Sequence, residues 1–195
     1  MLERVSPELL ASLQSRHAEP QRHYHDWSHV EALLAHARSI EGRLADPVAV
    51  TYAILFHDAV YDPRAKDNER QSAALLLREA PPLGASSLEL AHAMILATEG
   101  HQLSGLPSEQ RSDAAHFLDM DLAILGAGED RFDIYEDQIR LEYAHVPDEA
   151  FRAGRRAVLE SFAGRESLYF SDWGRERFEG RARANLARSL ARLTG

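Results

Sequence analysis

The sequence predicts an all-α fold, and three observations support this prediction. Helix-start signals recur along the chain, and two of them pair a capping side chain with proline, at Ser6-Pro7 and Asp46-Pro47. Between these signals, apolar residues recur at spacings of three and four, as on one face of a helix. No long segment alternates β-branched and polar residues, as a half-buried strand would. We therefore expect a helical bundle.

The expected helices follow one another with short breaks. The residues expected to open them are short polar caps: Ser6, Asp46, Asp67, Ser86 or Ser87, Asp113 and Asp172. The residues expected to separate or end them are prolines and glycines: Pro20, Pro81, Pro82, Gly100, Gly126 and Pro147. The expected helices then cover about 7–17, 27–44, 48–61, 68–80, 88–99, 114–126, 131–145, 148–164 and 172–193. The segment 101–112 is expected to be a loop.

Composition indicates one domain over residues 1–195. A chain of 195 residues with 45% hydrophobic residues has enough apolar side chains for one core. No apolar run approaches the roughly 20 residues that a membrane span needs, and the first ten residues lack the pattern of a signal peptide. We therefore expect a cytoplasmic protein with no membrane partner.

The charged residues and the absence of cysteine limit the kinds of site and partner that the chain can have. The chain has no cysteine, so disulfides, thiolate zinc sites and thiol catalysis are excluded, and any metal needs histidine, carboxylate and water ligands. A formal net charge of −9 argues against binding to duplex nucleic acid. It allows a small anionic substrate, because a bound metal supplies local positive charge.

Two acidic residues near the end of the sixth expected helix are candidates for buried carboxylates. The same-face neighbours of Asp121 are apolar: Phe117, Leu118, Ile124 and Leu125. A carboxylate in such a stripe is costly unless it is paired or bound to a metal. Asp119 lies on nearly the opposite face, among less apolar neighbours. We therefore expect Asp121 to be the buried one, and the two cannot easily serve one ion.

Histidines supply the other candidate ligands. His57 and Asp58 end an apolar run, where they could bind a metal or form an ordinary buried hydrogen bond. If HYHDWSHV is helical, His25 and His29 face the same way, as metal-binding pairs do, although such pairs also arise by chance. Other histidines, including His17, are expected at surfaces or helix ends. Together, His29, His57, Asp58 and Asp121 could surround one six-coordinate divalent ion from three helices, with Mn²⁺, Fe²⁺, Co²⁺, Ni²⁺ or Mg²⁺ favoured over Zn²⁺.

These residues resemble a known signature. His29, the His57-Asp58 doublet and Asp121 are similar to the H…HD…D pattern of the HD superfamily, and the fuller set of segments resembles its predicted metal-dependent phosphohydrolases. Those segments are YHDWSHV, AILFHDAVYDP, DNERQSA, ILATEGH and DMDLAILG, within about residues 20–126, with further helices over 129–195. The resemblance implies a single-domain HD-type helical bundle that hydrolyses a phosphoester.

A more distant resemblance concerns the general acid. YHDWSHV is similar to the YHN-x-x-H segment of cyclic-nucleotide phosphodiesterases, which implies that His25 is the proton donor and His29 a ligand. ILATEGH resembles a stretch of the same family, which places His101 near the site. Dinuclear HD enzymes carry a further histidine where this chain reads DNERQSA, so a second metal is not expected. Glu69 could instead orient water or bind substrate, or could simply favour the first turn of its helix.

The expected activity is hydrolysis of a small phosphoester, including a nucleotide, by metal-activated water. His25 would protonate the leaving oxygen, and His101 or Glu69 would steer water or substrate. Arg22, Arg64 and Arg70 could pair with phosphate or be surface residues. Two alternatives remain: a metal- and nucleotide-binding sensor without catalysis, and a di-iron HD-type oxygenase. The sequence leaves the substrate and any homo-oligomeric state open.

Overall fold

The computed structural model describes residue 2 and residues 5–194. These residues form helices and no strand, which confirms the all-α prediction. The α-helices of this part of the chain are α1 (Pro7–His17), α2 (Trp27–Ser39), α3 (Pro47–Phe56), α4 (Asn68–Glu79), α5 (Ala85–Ala97), α6 (Arg111–Asp121), α7 (Glu129–Glu142), α8 (Asp148–Ala163) and α9 (Asp172–Thr194). Short 3-10 turns cover Glu41–Arg43, Ser108–Gln110 and Leu122–Gly126.

Helix α3 lies at the centre of the bundle. Every residue from 49 to 56 is buried, and α3 packs against α2, α4, α5 and α6. A helix that is apolar on all sides is stable only when other elements surround it. The apolar run that ends at Phe56 is therefore the core helix, and the residues that follow it emerge from the middle of the fold.

The carboxyl-terminal helix closes the other side of the bundle. Helix α9 packs against α8 and against the 3-10 turn Leu122–Gly126. Gly126 allows this close approach, since a Cβ atom there would lie 2.6 Å from the Cβ of Phe178. No helix in the described part of the chain combines the length and the apolar character needed to cross a membrane.

The caps expected for α4, α5, α6 and α9 act differently from the prediction, since Ser86 and Ser87 lie inside α5, which follows Gly84, and Asp172 is the first residue of α9. Ser6 and Asp46 accept hydrogen bonds from the backbone N–H groups of the helices that they open. Asp67, by contrast, makes no side-chain capping bond to α4. Asp113 lies inside the first turn of α6, where it accepts from the backbone N–H groups of Ala45 and Asp46 at 2.9 and 2.6 Å. This carboxylate therefore fixes the start of α3, a tertiary role that local sequence does not reveal.

Three helices end about five residues earlier than predicted, and beyond Asp121 the residues expected in α6 form the 3-10 turn Leu122–Gly126. Helix α2 ends at Ser39 rather than near residue 44, and α3 ends at Phe56 rather than near residue 61. Beyond Phe56, tertiary hydrogen bonds take the backbone groups that a continued helix would use. The Arg22 guanidinium donates to the carbonyl of Asp58 at 2.7 Å, and the Ser72 hydroxyl accepts from the N–H of Val60 at 3.0 Å. His57 and Asp58 therefore lie in a turn, not on a helix.

Candidate metal centre and adjoining cavity

Three side chains from separate elements meet in the middle of the bundle. His29 lies in the first turn of α2, His57 follows α3, and Asp121 is the last residue of α6. One donor atom from each lies within 4.8 Å of the other two. His29 Nε2 is 3.2 Å from His57 Nε2 and 3.1 Å from Asp121 Oδ1, and both imidazoles are buried. This group could hold a metal ion.

Asp58 lies beside this group without belonging to it. Its Oδ2 is 3.0 Å from His57 Nε2 and 3.7 Å from His29 Nε2. Metal–ligand bonds of about 2.1 Å place neighbouring donor atoms about 3.0 Å apart in an octahedron and about 3.4 Å apart in a tetrahedron. The separations between the imidazole and carboxylate atoms here fall close to these values. The role of Asp58 as a fourth ligand stays a prediction.

The hydrogen bonding of His57 fits a cation at the centre. Its Nδ1 lies 2.9 Å from the carbonyl oxygen of Ile54, so Nδ1 carries the proton and donates. In the neutral ring the Nε2 lone pair then faces carboxylate oxygen, which is repulsive unless a positive charge lies between them. Burial alone lowers the pKa of His57, but Asp58 and Asp121 raise that pKa well above its usual value. The donor set therefore fits a divalent ion.

The carboxylates respond to the same environment. Burial opposes ionisation of Asp121, but hydrogen bonds with His101 and His29 and the charge of the nearby His57 hold its pKa well below the usual range. Burial likewise opposes ionisation of Asp58, and the charge of His57 lowers the pKa of Asp58. Both carboxylates are therefore ionised at neutral pH, the state that a metal ligand requires.

His25 lies outside the helix that carries His29, contrary to the expectation of a helical pair. Asp26 caps α2 by accepting from Ser28 N at 2.8 Å, so His25 precedes the helix. The His25 ring stacks on Tyr61, with centroids 4.4 Å apart. Its Nδ1 lies 2.7 Å from Glu142 Oε2, which leaves Nε2 as the ring nitrogen free to face a ligand.

Glu142, the last residue of α7, organises this region and was not predicted. Its Oε1 accepts from the backbone N–H groups of residues 23, 24 and 25 at 2.8–2.9 Å, and its Oε2 accepts from His25 and Tyr61 at 2.7 Å each. The test applied to Asp121 could have found it, because Tyr135, Ile139 and Glu142 share one face of α7 and all are buried.

A cavity of about 760 Å³ opens beside the cluster, and it brings the other predicted residues together. His25, Asp58, Glu69, His101 and Asp121 all line it. His101 Nε2 lies 2.9 Å from Asp121 Oδ2. The His101 backbone has a φ of 46°, a conformation uncommon for a side chain of this type. Arg165 fixes it by donating to the carbonyls of Gly100 and His101, each at 3.0 Å.

The three arginines considered as phosphate ligands lie elsewhere. Arg22 is buried, and its guanidinium donates to Glu19 and to backbone carbonyls that include His25 and Asp58 at 3.0 and 2.7 Å. It therefore clamps the segments carrying those two residues and has no open face for phosphate. Arg64 and Arg70 are exposed and do not line the cavity.

The relative burial predicted for Asp119 and Asp121 was wrong. Asp119 is the fully buried one, whereas Asp121 is partly exposed at the cavity. Asp119 faces the start of α9, where it accepts from Phe170 N at 2.7 Å and from Ser171 N and Oγ at 2.8 and 2.6 Å. The sequence of α6 alone does not show that α9 packs against it, so the partners that allow Asp119 to be buried could not be predicted.

Comparison with protein-family models, with curated proteins and with solved structures finds no match to this chain. The features that bear on its function are therefore the metal-ligand cluster, the hydrogen bonds around His25 and the cavity.

Proposed function

We propose that this chain is an HD-type metal-dependent phosphohydrolase acting on a small phosphoester. One observation carries the proposal: the His29, His57 and Asp121 donor atoms converge, and Asp121 lines a cavity that is also lined by His25, a histidine hydrogen-bonded to the Glu142 carboxylate. A metal-ligand group supplies water activation, and a separate imidazole supplies a proton. Hydrolysis of a phosphoester with a poor leaving group requires both.

His29, His57 and Asp121 would hold one divalent ion, with Asp58 as the fourth protein ligand. A six-coordinate ion with these four protein ligands would keep two positions for water or substrate. Mn²⁺, Fe²⁺, Co²⁺, Ni²⁺ and Mg²⁺ suit such a mixed nitrogen and oxygen site better than Zn²⁺, which usually takes four ligands in total. When bound, such an ion lowers the pKa of coordinated water and polarises a phosphoryl oxygen. His101 would orient Asp121 through their 2.9 Å contact.

His25 would supply the proton to the leaving group. Glu142 holds Nδ1, so the proton transferred is the one on Nε2. Burial by itself lowers the pKa of His25, but the hydrogen bond to Glu142 and the nearby carboxylates raise it above its usual value. The imidazolium is thus populated near neutral pH. As the phosphorus–oxygen bond breaks, Nε2 would give its proton to the departing alkoxide. The attacking water would add its oxygen to phosphorus and release one proton to solvent, and uptake of a proton from solvent would then restore the His25 imidazolium.

Glu69 would act from the wall of the cavity. It lies in the first turn of α4 and lines the cavity together with His25 and Asp121. A carboxylate there can accept a hydrogen bond from attacking water or from a substrate hydroxyl.

The test combines metal analysis with a phosphoester screen in Mn²⁺, Mg²⁺, Co²⁺ and Ni²⁺. We expect His57→Ala to lose metal affinity by at least about 100-fold and to lose turnover with it. His145→Ala, which changes an exposed histidine outside the cavity, should keep both. Full turnover by metal-free His57→Ala protein would refute the proposal, and tight metal binding without turnover on any ester would favour a binding module.

His25→Ala separates proton donation from metal binding. We expect the variant to keep its metal and to lose about 100-fold or more in rate on an alkyl phosphate. p-Nitrophenolate is a weak base that leaves without a proton, so hydrolysis of p-nitrophenyl phosphate should change far less. An equal loss on both substrates would exclude His25 as the acid.

A further inference from the structure

The cavity is much larger than a phosphate group requires. Its volume of about 760 Å³ falls in the range of sites that enclose a whole organic ligand. Asp121 of the metal-ligand cluster lines the cavity together with Asp58 and His25. Residues 65–69 and 98–100 supply the charged side chains of Lys66, Glu69 and Glu99. A further part of the wall is formed by α7, α8 and the 3-10 turn Leu122–Gly126, so the cavity has room for the part of a substrate that is not phosphate.

This further part of the wall is predominantly apolar. The side chains that form it include Ile124, Leu125, Ile139, Val146, Phe151 and Phe162. Two arginines also lie in the wall, but each is already bonded: Arg155 to Glu136, and Arg165 to backbone carbonyls. This part of the wall therefore offers apolar surface and few free charges to a ligand.

The amide and aliphatic hydroxyl groups of the cavity wall are already hydrogen-bonded within the protein. Among the described lining residues, amide and aliphatic hydroxyl side chains belong to Asn68, Thr98 and Ser161. Asn68 bonds the backbone N–H and carbonyl of Asp62. Thr98 and Ser161 each donate to a carbonyl in their own helical turn. A base edge buried against α7 and α8 would therefore leave polar atoms unpaired, which is strongly unfavourable.

We propose that the cavity takes the apolar alcohol portion of an amphipathic phosphomonoester, with an aliphatic chain lying along α7 and α8. The position of its phosphate, beside His29, His57 and Asp121, rests on the proposed function. The apolar site itself rests on the wall just described. Burial of methylene groups would supply the affinity, at about fourfold for each group removed from water.

Gly154 of α8 offers a direct test. It lines the cavity, and a Cβ atom added to it meets no atom within 4 Å, so a larger side chain can enter the cavity without displacing the protein. Gly180 of α9 is the matched control, because it is also helical and unobstructed but does not line the cavity. Leucine at either position also favours helix formation, so both variants should fold.

The experiment is calorimetric titration with butyl phosphate, octyl phosphate and adenosine monophosphate below micellar concentrations, with and without Mn²⁺. We expect octyl phosphate to bind at least about tenfold more tightly than butyl phosphate. Gly154→Leu should remove at least about tenfold of the octyl affinity and leave the butyl affinity unchanged. Gly180→Leu should match the unmodified protein for all three ligands.

Equal affinity for the two alkyl phosphates, or an octyl affinity insensitive to Gly154→Leu, would overturn the inference. Tighter binding of adenosine monophosphate than of octyl phosphate would overturn it in favour of a nucleotide site. Phosphate release from phenyl phosphate, measured in parallel, tests the proposed function alone. If affinity rises with alkyl chain length but no phosphate is released, the apolar site stands and the proposed hydrolysis is rejected. If phosphate is released but affinity does not depend on chain length, hydrolysis stands and the apolar site is rejected.

Discussion

Replacing Glu142 by glutamine should destabilise the fold and make that loss depend on pH. Burial raises the pKa of the Glu142 carboxyl, but hydrogen bonds from His25 and its backbone outweigh this and hold the pKa at about 2, against an ordinary 4.5. That fall corresponds to about 3 kcal/mol of stability at neutral pH. An amide can still accept the three backbone N–H bonds, but its NH₂ group opposes the His25 and Tyr61 donors.

The pH dependence follows from the direction of this shift. The folded chain binds the proton on Glu142 more weakly than the unfolded chain does. The stabilisation is therefore complete above pH 4.5 and is lost as the pH falls toward 2. Between pH 7 and pH 3.5, the difference in the free energy of unfolding between the native chain and Glu142→Gln should narrow by about 1.4 kcal/mol.

Urea unfolding at pH 7, 5, 4 and 3.5 measures both quantities. Glu160→Gln is the control, because this exposed glutamate pairs with Arg156 on the surface and should contribute less than about 1 kcal/mol at any pH. A Glu142→Gln variant as stable as Glu160→Gln at pH 7 would refute the reasoning. So would a gap that stays constant from pH 7 to pH 3.5.

Further changes test buried groups away from the cavity. Asp119→Ala should cost about 2–4 kcal/mol in thermal or urea unfolding, because three donors at the start of α9 lose their acceptor, while calorimetry should show metal affinity unchanged. Burial lowers the pKa of His17 to about 4, so stability should be complete above pH 6.5 and fall by up to about 3 kcal/mol toward pH 4. His17→Met should remove that component of the urea-unfolding pH profile. Gly126→Ala should lower the melting temperature, at a cost of about 1–3 kcal/mol, because the new methyl group would overlap Phe178.

Local sequence was sufficient for the helical architecture. Proline after a capping side chain places the starts of α1 and α3 correctly, and the apolar run before His57 correctly indicates a core helix. The expectation that Asp121 and His57 approach each other rested on combining the candidate ligands and on the resemblance to the H…HD…D pattern, because a local pattern shows only that an ionisable side chain on an apolar stripe needs some partner. Their metal-binding role remains a prediction.

In several places where the sequence misled, a distant partner was the reason. The turn after Phe56 depends on Arg22 and Ser72, and the burial of Asp119 depends on the start of α9. His17, expected at a surface or a helix end, is the last residue of α1 but is buried, with its ring 5.5 Å from that of Trp27. A periodic pattern reports which face of a helix is buried but carries no information on which distant donor will satisfy a polar group there.

The sequence by itself therefore determined the helices, the central position of α3 and the residue types available to a metal. Only the tertiary structure decided that Glu142 holds His25 and that the cavity beside the cluster has an apolar wall. The physical reason is that helix formation depends on neighbours within four residues, whereas these features depend on contacts between segments up to 117 residues apart.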